Sequence, residues 1–184
     1  MNVPAKINLA MQLVMTAFAE KIRIGNTSIP ASTHSLRVGL SLITYDYLVE
    51  IVLGGFCHDL LEDTEVAPQM IKRMFGDRVL FLTEACTINP TDGKTEGKRA
   101  LYDRVVTLAR DGEIGPLIIK CADCIDNLRT NYTLKAELQI GAYERGLKWL
   151  EAGNCHMESA WLVSDLKSTI KSEERRLTLA GVFE

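Results

Sequence analysis

The tract Leu53-Gly54-Gly55-Phe56-Cys57-His58-Asp59-Leu60-Leu61-Glu62-Asp63 sets four ionisable residues at the end of an apolar run. Burying a carboxylate without a partner is costly, so such a cluster needs counter-charges or a metal ion. On a helix, His58 stacks with Glu62 and Asp59 with Asp63, each at i, i+4. His58 and Asp59 are then about 100° apart, which lets both reach one ion lying off that edge. A second polar set, Lys120, Asp123, Asn127 and Thr130, falls at i, i+3, i+7 and i+10 on an otherwise apolar segment. His34, in the first turn of a helix beginning near residue 32, is the third feature, and the chain has only 3 His. Each feature also has an ordinary explanation. A first-turn His can be a cap or a surface residue, and Glu62-Asp63 can be solvated groups at a helix end. Carboxylates at a helix C-terminus oppose the dipole, which weakens that second explanation.

The elements carrying these residues read as helical almost throughout, because apolar residues recur with the 3.6 period and strand alternation is absent. The pattern predicts helices over 4–22, 32–45, 47–61, 64–75, 77–87, 98–110, 117–131, 138–150 and 156–179. Ser32 or Thr33 is the expected cap of the second. The third is apolar all round and belongs in the middle of the molecule. Gly76 is a natural stop for the fourth, and Pro90, Asp92-Gly93 and Gly97 mark 88–97 as a loop. Leu162, Leu166, Ile170 and Leu177 form the stripe of the last helix. The expected architecture is all-α, a single domain over 1–184 built as a bundle of eight or nine helices.

Composition narrows the setting. The chain has 184 residues, 47% hydrophobic and 24% charged, with a formal net charge of −3. That length supports one core of ordinary size. A mildly acidic chain argues against a broad basic face for duplex nucleic acid, and no run approaches the roughly 18–20 apolar residues of a membrane span. Five cysteines is an odd number, and Cys121-x-x-Cys124 has no second pair at zinc-site spacing. They read as small buried hydrophobes in a reducing cytosol. Ala17-Phe18-Ala19 has the A-x-A form of a signal-peptidase site. However, Asn8, Gln12, Thr16 and Glu20 make a polar face opposite Ile7, Met11, Val14 and Phe18. That is an amphipathic helix of the folded domain, and the expected location is cytoplasmic.

The order His34 … His58-Asp59 … Asp123 resembles the HD superfamily of metal-dependent phosphohydrolases. The context HD-x-x-ED-T at His58–Thr64, Phe75-Gly76-Asp77, and K-x-A-D-x-x-x-N-x-x-T at Lys120–Thr130 narrows the resemblance. It is most similar to the hydrolase domain of RelA/SpoT-type alarmone enzymes, in particular the stand-alone small alarmone hydrolases.

The resemblance implies hydrolysis of guanosine 3′,5′-bis(diphosphate) or its pentaphosphate relative to GDP or GTP plus pyrophosphate, through a metal-bound water. It implies His34, His58, Asp59 and Asp123 as ligands of one divalent ion, usually manganese (Mn2+) in this family. Such a donor set also suits a borderline divalent ion on chemical grounds. By the same resemblance Glu62 and Asp63 are the acid/base pair, with Glu62 favoured as the base that orients water. Arg23, Lys94, Lys98, Lys120, Asn127 and Thr130 are the implied substrate contacts. Pro30-Ala31-Ser32-Thr33-His34-Ser35 departs from the family's P-Y-I-x-H-P, in a segment that forms part of the purine pocket. An HD phosphatase or nucleotidase for another nucleotide, a non-catalytic nucleotide-binding HD domain and a metal-free helical domain stay open. The expected partner is a small phosphorylated nucleotide, without duplex nucleic acid or membrane, and homo-oligomerisation is open.

Overall fold

The computed structural model describes residues 2–23, 29–89, 91–130, 135–157 and 160–183, the side chain of Lys94 excepted. Its elements are α1 (Val3–Ala17), α2 (Ser32–Thr44), α3 (Val49–Cys57), α4 (Leu60–Asp63), α5 (Pro68–Phe75), α6 (Asp77–Cys86), α7 (Lys94–Arg110), α8 (Gly115–Thr130), α9 (Ala136–Met157) and α10 (Trp161–Leu179). Nine helices of at least eight residues and the single turn α4 thus make up the all-α bundle among the described residues. The one β feature described is an isolated antiparallel bridge between Ile22 and Pro30.

α8 is the axis. Every residue from Gly115 to Asp126 is buried on it. α2, α3, α6 and α7 pack against it, and α9 and α10 complete the enclosure. Leu117, Ile118, Ile119, Cys121 and Ile125 of α8 share one apolar core with Val38 and Leu42 of α2, Leu53 and Phe56 of α3, and Leu162 and Leu166 of α10. The polar side chains of α8 therefore lie inside the molecule and must find their partners there.

α2 and α3 touch through glycine. A Cβ on Gly39 would sit 2.4 Å from the Phe56 ring, and one on Gly55 would sit 2.4 Å from Leu42 Cδ1. This close approach holds the middle of α2 against the end of α3, with His34 preceding the contact on α2 and His58 following it after α3.

Several boundaries differ from the sequence expectation. The first helix stops at Ala17 instead of continuing to 22. There the chain turns out to pair with residues 29–31, Arg23 N–H donating to Ile29 O at 2.9 Å and Ala31 N–H to Lys21 O at 2.8 Å. The face predicted for that helix holds, with Val14 and Phe18 buried, Ile7 and Met11 half-buried, and Asn8, Gln12, Thr16 and Glu20 exposed. Neither Ser32 nor Thr33 caps α2. Ser32 is already helical, and Thr33 Oγ1 donates to Pro30 O at 2.7 Å.

The expected helix over 47–61 breaks at His58-Asp59 into α3 and α4. His58 Nδ1 bonds to Gly55 O at 2.8 Å, a carbonyl that an uninterrupted helix offers to the backbone four residues on. α5 starts at Pro68 and not at 64, because Thr64 is extended and closes α4 with its Oγ1 on Leu60 O. α7 begins at Lys94, inside the segment expected to be loop, since Gly97 packs a helical backbone against Ile88 where a Cβ would lie 2.6 Å from Cγ2. His156 lies in the last turn of α9 instead of opening the last helix. No helix is long and apolar enough to cross a membrane among the described residues.

Candidate metal centre

Three elements converge on one small volume. α2 brings His34 in its first turn, the α3–α4 turn brings His58 and Asp59, and the middle of α8 brings Asp123. The imidazole centroids of His34 and His58 are 5.1 Å apart in an edge-to-face arrangement. Ligand-capable atoms of His34, His58 and Asp59 all lie within 4.8 Å of one another. Asp123 closes the fourth side. Its Oδ1 is 3.1 Å from His34 Nε2 and 3.9 Å from His58 Nε2. Asp59 offers Oδ1 at 3.1 Å to His58 Nε2 and Oδ2 at 3.6 Å to His34 Nε2.

Whether these residues suit a metal ion is decided by an orphan atom. His58 is 1% exposed, its Nδ1 is engaged by Gly55 O, and its buried Nε2 makes no well-aligned hydrogen bond, although Asp59 Oδ1 lies 3.1 Å away. A buried imidazole nitrogen without a partner is costly unless something else meets it. With two imidazoles and two carboxylates around that atom, the donor set fits a borderline divalent ion.

The charges are strongly coupled. Burial favours the neutral acid at Asp59, but His58 and His34 beside it pull its pKa down to about 2. Burial acts the same way on Asp123, and there Lys120 and the two imidazoles hold the carboxyl far below its usual range. Burial disfavours the His34 imidazolium, yet hydrogen bonds to Asp123 and Asp126 with the Asp59 charge raise it to about 9. Both carboxylates are thus available as anions at neutral pH.

Glu62 and Asp63 stand on α4, at the solvent edge of the cluster. Glu62 Oε2 accepts the Ile88 N–H at 3.1 Å, which ties it to the segment leaving α6. Desolvation, together with the Asp59 charge, raises the pKa of both acids. Lys21 Nζ donates to the Asp63 carbonyl, so the extended segment after α1 reaches over this turn.

The expected substrate contacts divide. Arg23, Asn127 and Thr130 come together, with Arg23 Nη2 2.6 Å from Asn127 Oδ1 and 3.4 Å from Thr130 Oγ1. Asn127 Nδ2 also donates to Asp123 Oδ1. Lys120 is buried and its ammonium pairs with Asp123 Oδ2, so it faces a cluster carboxylate. Lys98 is exposed on α7. The side chain of Lys94 lies outside the described residues.

Two residues of the site were not anticipated. Asp126 Oδ2 lies 2.6 Å from His34 Nδ1, and Arg37 Nε donates to Asp126 Oδ1 at 2.6 Å. An acid buried three residues beyond Asp123 on an apolar helix was the available signal. Cys121 and Cys124 are free and buried, and burial raises both thiol pKa values, Cys124 to about 12. Neither has the thiolate character of a reactive cysteine.

No protein-family model matches the chain. It is 30% identical over 112 residues to a guanosine-3′,5′-bis(diphosphate) 3′-pyrophosphohydrolase of Aquifex aeolicus, covering 60% of this chain and 16% of that protein. It is 33% identical over 112 residues to a GTP pyrophosphokinase of Streptomyces coelicolor, covering 60% of this chain and 13% of that one. The chain thus spans about a sixth or less of the length of these curated relatives. Among solved structures it superposes on a metazoan ortholog of SpoT, described as hydrolyzing ppGpp, with a TM-score of 0.77 and 21% identity. That match covers 91% of this chain and 95% of the other. A protein from Listeria monocytogenes matches with a TM-score of 0.61 at 23% identity, covering 76% of this chain and 97% of that one. The motif resemblance is thus matched by relatives named for (p)ppGpp hydrolysis or GTP pyrophosphokinase activity, and the bundle shares the fold of the metazoan SpoT ortholog.

Proposed function

We propose that this chain, residues 1–184, is a single HD-type phosphohydrolase domain that removes pyrophosphate from the 3′ position of guanosine 3′,5′-bis(diphosphate) or its pentaphosphate relative. The observation that carries the reading is the buried Nε2 of His58, which makes no well-aligned hydrogen bond and is faced by His34, Asp59 and Asp123. The curated relatives named for that activity support the choice of substrate. His34, His58, Asp59 and Asp123 would hold one divalent ion, and Mn2+ is the expected one. When bound, such an ion offsets phosphate charge and lowers the pKa of water.

The chain's own groups supply the rest. Hydrolysis adds the oxygen of water to the phosphorus next to the 3′ oxygen and breaks the bond between them, leaving GDP and pyrophosphate. Glu62 stands at the solvent edge with its pKa raised by desolvation, which suits a group that orients the attacking water and takes its proton. Asp63, raised in the same way, is the candidate to return a proton to the departing 3′ oxygen. Arg23, Asn127 and Thr130 form a polar ledge for the sugar and phosphates, with Lys94 and Lys98 as further phosphate contacts. Lys120 acts by holding the Asp123 carboxylate. The substrate is a small phosphorylated nucleotide and the location cytoplasmic.

A second reading, an HD phosphatase for another nucleotide, is favoured by the departure at Pro30-Ala31-Ser32-Thr33-His34-Ser35 from the family's purine-pocket pattern. A panel of guanosine tetraphosphate, GDP, AMP, dNTPs and NADPH, each supplied with Mn2+, separates the two. Pyrophosphate released from the tetraphosphate, with little turnover of the others, is the expected result. Turnover of monophosphates alone would overturn it.

A further inference from the structure

The pattern K-x-A-D-x-x-x-N-x-x-T leaves position 126 open, and this chain puts a carboxylate there. Asp126 is 8% exposed, and both of its oxygens are engaged. Oδ2 lies 2.6 Å from His34 Nδ1 and 3.1 Å from Arg37 Nη2, and Oδ1 accepts Arg37 Nε at 2.6 Å. Arg23 Nη2 is 3.9 Å from Oδ2 on the other side. His34 and Arg37 are three residues apart on α2, so they share the face turned toward α8.

The two nitrogens of an imidazole point away from each other. A hydrogen bond that holds one of them to a fixed carboxylate sets both the rotation of the ring and the tautomer at the other. Here the held nitrogen is Nδ1, and Nε2 faces Asp123 and Asp59 at 3.1 and 3.6 Å.

We propose that Asp126, itself held by Arg37, is a positioning residue of the metal centre that aims His34 Nε2 at the ion and ties the Arg23 guanidinium to the same turn of α8. This rests on the metal-centre reading above. The competing account is that Arg37 and Asp126 merely fasten α2 to α8. The two differ in what the ion senses: a fastener changes the melting temperature, whereas a positioning residue changes metal affinity in protein that is still folded.

The test is Mn2+ binding alone, without nucleotide, followed by the loss of the free-ion electron paramagnetic resonance signal. Helix content and melting temperature are measured beside it. Asp126→Ala is expected to weaken Mn2+ binding by about ten- to a hundredfold. Asp126→Asn keeps an acceptor oxygen for the ring and is expected to recover most of that loss. Asp126→Leu fills the space if the alanine variant does not fold, and Arg37, whose side chain is 40% exposed, can then turn to water. Folded Asp126→Ala or Asp126→Leu protein binding Mn2+ within twofold of the parent would overturn this proposal and leave the metal centre standing. A parent chain that takes up no Mn2+ would overturn both.

Discussion

Glu62 and His34 answer to different measurements. Glu62 touches no proposed ligand and reaches solvent, so Glu62→Gln should leave Mn2+ affinity unchanged while turnover falls by roughly 10²–10⁴-fold. An unchanged kcat would remove it from the reaction. In the metal-free protein His34 is one group whose raised pKa couples stability to pH. Its folded pKa, about 9, lies above the value of about 6.5 expected in the unfolded chain. A raised pKa means that its contribution to stability is complete below about 6.5 and is lost as pH rises through about 9. Melts in chelator should therefore show a falling melting temperature from about pH 7 to about 9, and His34→Gln should flatten that slope. A slope that survives the substitution would assign it to other groups. His34, His58, Asp59 and Asp123 were legible in the chain because their identities and order carry the pattern. Asp126 and Arg37 were not, since an i, i+3 pair on one helix acquires meaning only once a second helix is laid against it.

At the scale of elements, the site depends on how closely α2 approaches α3. Gly39 faces Phe56 and Gly55 faces Leu42, and neither pair leaves room for a methyl group. Gly39→Ala should cost about 1–3 kcal/mol, as overpacking does. For a chain of this size that lowers the melting temperature by roughly 2–12 °C. Because the same contact spaces His34 from His58, Mn2+ affinity should fall with it. Unchanged affinity in the destabilised variant would separate packing from the centre. The helices themselves were legible from their 3.6 period, and the stripe Leu162, Leu166, Ile170 and Leu177 is buried as read. The break at His58-Asp59 was not, because an apolar run says nothing about a side chain that takes a backbone carbonyl. Nor was the start of α7, where the composition of Asp92-Gly93 and Gly97 suggests loop and packing against Ile88 imposes helix.

For the whole molecule, the net charge of −3 must be set against the polyanionic substrate proposed for it. Residues 1–92 carry 7 basic and 10 acidic side chains, and the remainder 14 of each, so no broad positive field draws a nucleotide in. Two cations at the centre, Arg37 and Lys120, are paired with Asp126 and Asp123. For the proposed substrate, attraction would then be local, from the proposed ion and from groups such as Arg23. The proposed ion would bind only the folded arrangement, so stripping it should lower the melting temperature by several degrees, since saturation at about 100 Kd contributes about 2.7 kcal/mol. The central claim is settled most directly by ³¹P NMR of guanosine 3′,5′-bis(diphosphate) incubated with metal-stripped and with Mn2+-reconstituted protein. The account predicts pyrophosphate and GDP in the reconstituted sample alone. Inorganic phosphate as the product, or equal turnover after the metal is removed, would contradict it.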